Sequence, residues 1–379
     1  MVYLGAKDST IFIREVTDML NKEMVQFFES ILEERSDEFR VTESDLVSPS
    51  AFEKKQAKIR RKVVELLRLR EVGARFGMQR LDEEMHVISL PVPDVQVLDR
   101  VSCEGYTREH WLMETLPGIH MPMYVLIPDE MDRTVPHPCI LAAHGHGPGK
   151  DSVCGTSPVP EVLARMKERG GCYGEIMAQQ GYMVFAPDMW GFGERRIHDD
   201  AKYGERDCPA LSDAAEACGL TLLGLFVWDH MRIVDYMLAQ PYCNEVAMMG
   251  FSGGGEQTIY TTALDERIVW GYAGGYLHQF QGGMLYNHMC ACNFVPDLFK
   301  TMELSDVAGL IVPRPMLYEN GTEDGLNGHG GIINVERAAQ RIRSMYAVYG
   351  KEDCLETNFW PGGHQYNGAK TLPFAKKHF

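Results

Sequence analysis

Basic charge is what this chain has too little of. Lys and Arg number 37 against 53 Asp and Glu, a net charge of −16 with histidine neutral. That balance argues against nucleic acid or an anionic membrane as partner, because both hold proteins through cationic contacts. Long apolar runs are missing as well, and no uninterrupted stretch approaches the roughly 20 residues that cross a bilayer as a helix. The opening, Met1-Val-Tyr-Leu-Gly-Ala-Lys-Asp8, has no basic stretch followed by an apolar core. The expectation is therefore a cytoplasmic protein without an export signal. The ten cysteines have no paired spacing, which fits thiols kept reduced in a cytoplasm better than a disulfide framework. Internal repeats and low-complexity tracts are also absent.

What remains is a globular composition, 45% hydrophobic and 24% charged, in a chain long enough for one large domain or two modest ones. Thr10 to Glu33 has helical apolar spacing through Ile11, Val16, Leu20, Met24, Phe27, Ile31 and Leu32. Ser50 to Phe76 is a second helical stretch, and its basic residues Arg60, Arg61, Lys62, Arg68 and Arg70 read as the solvated side of an amphipathic helix. Near Val87 the pattern changes to short alternating runs with Pro91 and Pro93. The organisation expected is a helical segment over 1–90 and a main domain over 91–379.

In the main domain, apolar strands alternate with helices. Strands are expected at Met121–Ile127, His137–Ala143, Tyr182–Ala186, Val246–Met249, Ile268–Tyr272, Pro315–Glu319 and Leu355–Phe359. Helices are expected at Tyr173–Gln180, Thr221–Gln240 and Val335–Tyr349. Such alternation means an α/β fold with a mostly parallel sheet, whose chemistry gathers at the carboxyl ends of the strands.

The residues following three of those strands carry chemistry. Gly250-Phe-Ser-Gly-Gly254 stands between a strand and a helix and has the form G-x-S-x-G. This is a nucleophile elbow, in which glycines permit a turn sharp enough to expose the Ser252 hydroxyl. Asn320-Gly-Thr-Glu-Asp-Gly325 is a glycine-bounded turn with two adjacent acids, Glu323 and Asp324. Trp360-Pro-Gly-Gly-His-Gln365 puts His364 on a loop that two glycines free to turn. Serine, acid and histidine, each after its own strand, supply a nucleophile, a general base and a group to orient it. An oxyanion site needs two backbone N–H groups. Gly253, directly after the serine, would supply one, and His146 in the turn His144-Gly-His-Gly147 the other.

Metal ligation has weak support by spacing. His144 and His146 have no further ligand nearby, and His288-Met-Cys-Ala-Cys292 has no partner pair elsewhere in the sequence. No cofactor and no metal are expected, and a chelator is expected to leave activity unchanged.

These motifs together resemble the α/β-hydrolase superfamily, in its branch of dienelactone hydrolases and acetyl xylan esterase-like proteins. The likeness runs from about Gly105 to the C-terminus. It is carried by His144-Gly-His-Gly147 with Gly149-Lys150, Asp188-Met-Trp-Gly-Phe-Gly-Glu-Arg195, Trp228-Asp229, the Ser252 elbow, Cys292-Asn-Phe-Val-Pro296, Pro313-Arg-Pro315, Gly321-Thr-Glu-Asp324 and Gly362-Gly-His364. The resemblance implies an eight-stranded sheet with its second strand antiparallel, and ester hydrolysis without cofactor. Its Gly-x-x-Asp spacing selects Asp324 over Glu323. Gly325 beside it, and the fewer rotors of aspartate, point the same way. Pro148 stands where family members more often carry a third glycine.

The excursion 274–310 between two core strands is long for a bare loop and rich in aromatics, so it is expected to fold over Ser252 as a cap. The stretch Met189 to Phe192 is expected beside the site, with Asp188 and Arg195 joined as an ion pair. The activity implied is that of a serine carboxylesterase, most plausibly a deacetylase, acting on a small soluble ester. Alternatives are hydrolysis of a lactone or carbon–carbon bond by the same residues, or a non-catalytic binding protein of the same fold. Whether copies associate into a homo-oligomer is left open.

Overall fold

The strand pattern builds a single nine-stranded sheet, in a computed structural model that describes residues 21–198, 202–287 and 289–379. In chain order the strands are β1 (Val95–Cys103), β2 (Tyr106–Leu116), β3 (Ile119–Pro128), β4 (His137–Ala143), β5 (Met183–Pro187), β6 (Cys243–Phe251), β7 (Ile268–Gly274), β8 (Met316–Gly321) and β9 (Leu355–Trp360). Their spatial order is β1-β2-β3-β5-β4-β6-β7-β8-β9. The run β5-β4-β6-β7-β8-β9 is parallel, while β1, β2 and β3 pair antiparallel and β3 meets β5 antiparallel. The expected eight strands are therefore present with one more at the edge. The extra strand is β1; among the other eight, β3 alone runs against the parallel set, and β1 runs in the same direction as β3.

Central strands are buried on both faces, and their side chains alternate between two cores. In β4, Cys139, Leu141 and Ala143 join the larger cluster while Ile140 and Ala142 join the smaller one. In β6, Val246 and Met248 divide from Ala247 and Met249 in the same way. The helix Leu222–Leu238 and the wholly buried helix Gly253–Leu264 cover the first face, and Tyr173–Gln179 covers the second.

The N-terminal segment belongs to the same body. Residues 21–33 are helical, whereas residues 10–20 of the expected first helix lie outside the described residues. The helix Pro49–Leu66 sends Phe52, Ile59, Val63 and Val64 into the larger core. Arg60 departs from the solvated reading of the basic run. It is buried, donating to the Leu264 carbonyl at 3.1 Å and to Glu266 at 2.5 Å. Nearby, Arg80 makes a bidentate pair with Asp235, at 2.9 and 2.7 Å, with both side chains fully buried.

Candidate active site

The end of β6 turns into the helix Gly253–Leu264 through one residue, Ser252, at φ 60° and ψ −124°. A non-glycine residue in that region is crowded at Cβ, and such strain persists only where its surroundings impose it. Here the surroundings are backbone. A Cβ on Gly250 would lie 2.2 Å from the Gly254 carbonyl oxygen, and one on Gly254 would lie 2.1 Å from that of Ala143. Both flanking glycines are thus required by close approach, and the Ser252 N–H is held by the Gly274 carbonyl at 2.7 Å.

His364 brings its Nε2 to 2.8 Å from the Ser252 Oγ and its Nδ1 to 2.7 Å from the Asp324 Oδ2. The Asp324 side chain is 1% exposed and that of His364 33%, while Glu323 faces solvent. The other Asp324 oxygen accepts from the Leu326 N–H at 2.8 Å. The two loops that carry the acid and the histidine are laced together, with Thr322 and Glu323 donating to the Trp360 and Gly362 carbonyls at 2.8 and 2.9 Å.

Beneath them, the buried Glu319 accepts from the Tyr272 hydroxyl and the Asn358 side chain, and from the backbone N–H groups of Asn367 and Gly368. These bonds, at 2.8 to 3.0 Å, fix the chain just beyond His364. The Phe251 ring, 4.8 Å from that of His364, supports the imidazole from the elbow side.

The turn after β4 lies against Ser252, and a Cβ on Gly145 would sit 3.1 Å from the Ser252 Cβ. Its base is held firmly. Gln257 and Tyr173 donate to the His144 and Ala143 carbonyls. The His144 Nδ1 faces the Gly145 carbonyl at 2.8 Å, and its Nε2 accepts from the Met189 N–H at 3.0 Å. Burial lowers the His144 pKa, consistent with this neutral, structural tautomer. Gly253 opens its helix, so its N–H has no intrahelical acceptor and stands at the positive end of the helix dipole. The Gly253 and His146 amides are both left without a protein acceptor among the described residues.

A cavity of ≈ 490 Å³ opens over Ser252 and His364. Its walls come from the turn Gly145 to Pro148, from Arg165, Arg169 and Tyr173, and from Lys202 and Tyr203. The described residues of the excursion 274–310 contribute none of the lining residues, contrary to its expected role as a cap. Tyr276 and Phe280 are buried instead, with Phe280 stacked on Phe299 at 4.2 Å, while Phe294 is exposed. The Met189–Phe192 stretch also stays out of the cavity, and Phe192 packs on the His144 and His146 rings. Asp188 pairs with Lys150 at 2.7 Å, and Arg195 pairs with Asp229 at 2.6 Å, so the expected ion pair between Asp188 and Arg195 is replaced by two others.

Metal ligation, which spacing along the chain does not support, gains a cluster of ligand groups from the fold. Cys290 and Cys292 do have partners, which folding brings from elsewhere. The His146 Nε2 lies 3.2 Å from the Cys292 Sγ, and the Cys208 Sγ lies 2.6 Å from that of Cys290. His288 lies outside the described residues. No spacing signal marks Cys208, which stands alone at the start of its helix.

The sheet order, the elbow and the loops after β8 and β9 define an α/β-hydrolase fold. The chain belongs to the Abhydrolase family, whose sequence pattern matches residues 28–359. It is similar to a protein of Bacillus subtilis (strain 168) with the provisional name hydrolase YtaP, 27% identical over 287 residues, 72% of this chain and 89% of the relative. Among solved structures it is similar to one from Bacteroides fragilis NCTC 9343, provisionally described as an acetyl xylan esterase. That pair has a TM-score of 0.74 at 20% identity and covers 93% of each chain. A glucuronoyl esterase from Solibacter usitatus has a TM-score of 0.59 at 13% identity, over 88% of this chain and 94% of the other. At these identities the structural likeness speaks for the fold.

Proposed function

We propose that the chain is a serine esterase in which Ser252, His364 and Asp324 form a catalytic triad and turnover passes through an acyl-enzyme. The observation that carries this reading is the unbroken hydrogen-bonded line from the Ser252 Oγ through both His364 nitrogens to a buried carboxylate. Asp324 holds the Nδ1–H tautomer, which leaves Nε2 free to accept the serine proton as Oγ attacks the acyl carbonyl. The Gly253 and His146 amides receive the developing oxyanion. His364 then returns the proton to the leaving alkoxide. It next takes one from water, which attacks the acyl-enzyme, and hands that proton to the departing Ser252 Oγ as the acid is released.

The substrate is a small ester. A cavity of ≈ 490 Å³ suits one or two sugar-sized groups better than a polymer or a long acyl chain. Arg165, Arg169 and Lys202 outnumber Glu205 on its walls, although the chain as a whole is strongly acidic. This local excess of cations favours a substrate that carries a carboxylate beside the ester. Solved structures named for acetyl and glucuronoyl esters agree with a carbohydrate ester.

The test is a rate comparison. Aryl acetate, butyrate and octanoate are assayed beside an acetylated monosaccharide, a uronate ester and acetylated xylan. Short acyl groups and the small sugar esters should be turned over, octanoate and polymer poorly, and Ser252→Ala by up to about a millionfold less. Hydrolysis of a lactone or a β-diketone with no ester turnover would replace the ester reading. Undiminished activity in Ser252→Ala would end it.

A further inference from the structure

Four soft ligand groups from three separate segments converge beside the proposed oxyanion turn. His146 comes from the turn after β4, Cys208 from the first turn of the helix Cys208–Ala217, and Cys290 and Cys292 from the excursion between β7 and β8. The His146 imidazole nitrogen and the three sulfurs all lie within 4.8 Å of one another. A tetrahedron built on metal–sulfur bonds of ~2.3 Å and a metal–nitrogen bond of ~2.0 Å has edges of roughly 3.5 to 3.8 Å. To surround one ion, the Cys208 and Cys290 sulfurs, 2.6 Å apart, would separate by about 1 Å, and pairs standing up to 4.8 Å apart would close by a similar amount.

We propose that His146, Cys208, Cys290 and Cys292 form a tetrahedral site for a soft divalent cation, zinc above all, that fastens the turn after β4 to the excursion and to the helix at Cys208. Three thiolates and one imidazole are a donor set that selects zinc over magnesium or calcium, which require oxygen ligands. All four positions are filled by protein, as in a structural site rather than one that activates water.

The neighbours suit this assignment. Cys208 and Cys292 are 0% and 2% exposed, so solvent competes little for the ion. The Asn293 side-chain amide donates to the Cys292 Sγ at 3.4 Å, and the Arg206 guanidinium faces Cys290. Both are the outer-shell donors that a thiolate-rich, net anionic site requires. Binding releases the three thiol protons and leaves a divalent ion with three thiolates, one negative charge that Arg206 offsets.

The consequence for catalysis rests on the esterase reading. His146 would bind through Nε2, the nitrogen that faces Cys292, while a Cβ placed on Gly253 would lie 2.8 Å from its Nδ1. The residue whose amide is assigned to the oxyanion would then be pinned by its own side chain. His146 is a positioning residue in this sense, and the ion never meets substrate. The sequence-based expectation of a metal-free protein insensitive to chelator is reversed.

The first measurement reads the metal and needs no activity. Protein prepared with reductant and zinc should carry about one zinc per chain by elemental analysis. Cobalt exchanged into the wild-type apoprotein should give thiolate charge-transfer and tetrahedral d–d absorption. X-ray absorption should find three sulfurs at ~2.3 Å and one nitrogen at ~2.0 Å. Cys208→Ser and Cys292→Ser should lose the metal, whereas Cys218→Ser, at an exposed thiol outside the site, should keep it.

If the site variants fail to fold, the wild-type cobalt spectrum still decides. A folded wild-type protein that binds neither ion, a Cys292→Ser variant with full zinc, or a Cys208–Cys290 disulfide formed under reductant would each overturn the assignment. Metal removal should also lower Tm by several degrees and cut kcat at least tenfold with a smaller change in KM. If zinc binds as described while no ester is turned over, the esterase reading fails and the metal site stands.

Discussion

Asp324 and Glu323 are neighbours in one turn, yet only Asp324 is buried against the imidazole while Glu323 faces solvent. That difference gives the sharpest prediction at the scale of single residues. Asp324→Asn should lower kcat on a good ester by about ten-thousandfold, because an amide favours the wrong imidazole tautomer. Glu323→Gln should lower it less than about threefold, in line with other exposed substitutions. Steady-state kinetics of the two variants, with folding checked by circular dichroism, separates them. A larger loss at Glu323 would mean that the turn presents the other acid. The three side chains that the structure joins by hydrogen bonds, Ser252, His364 and Asp324, could be found in the sequence because each follows its own apolar strand and is framed by glycine. Cys208 could not be found, because its partners lie 82 and 84 positions further on and a single cysteine has no pattern. The cavity walls at Arg165, Arg169 and Tyr203 were equally hidden, since cations and tyrosines on loops are the commonest of surface residues.

The loop after β9 owes its shape to the strand beside it. Glu319 in β8 accepts two backbone N–H groups just beyond His364, so it sets where that loop turns without touching the reacting atoms. Glu319→Gln trades acceptors for a donor and should lower kcat roughly tenfold with KM little changed. Its distinguishing readout is the acylation rate in a single turnover, which should fall in parallel, while a loss of stability alone would leave the acylation rate of the folded fraction intact. Seven of the nine strands were legible from apolar runs. The remaining two, β1 and β2, were not, because an edge hairpin mixes charge into its pattern. β1 is exposed along nearly its whole length, and β2 carries Arg108, Glu109 and His110 in succession. Aromatic density in the 274–310 excursion was a misleading sign of a cap. Tyr276 and Phe280 fill the core beneath it, and a linear sequence does not distinguish an aromatic that faces a ligand from one that faces a neighbouring helix.

Across the whole molecule, the N-terminal helices, the sheet and the excursion share one core, and buried histidines make its stability depend on acid. Burial lowers the pKa of His230 to about 3 and that of His278 to about 4. A histidine with a lowered folded pKa binds fewer protons when folded than when unfolded. Stability therefore rises with pH up to the ordinary histidine value near ~6.5 and falls as pH drops below it, toward the folded values. Each contributes a slope of at most about 1.4 kcal/mol per pH unit in that window. Urea midpoints should fall steadily from pH 7 to pH 4, and His230→Gln should flatten part of the decline whatever it does to stability at pH 7. A midpoint independent of pH over that range would contradict the burial of both rings. The central claim, that this molecule works through an acyl-enzyme on Ser252, is tested most directly by mass spectrometry after treatment with a fluorophosphonate. The account predicts one adduct per chain, on the peptide that contains Ser252, lost in Ser252→Ala and slowed severely in His364→Ala. An adduct on any other residue, or none on a folded and active protein, would contradict it.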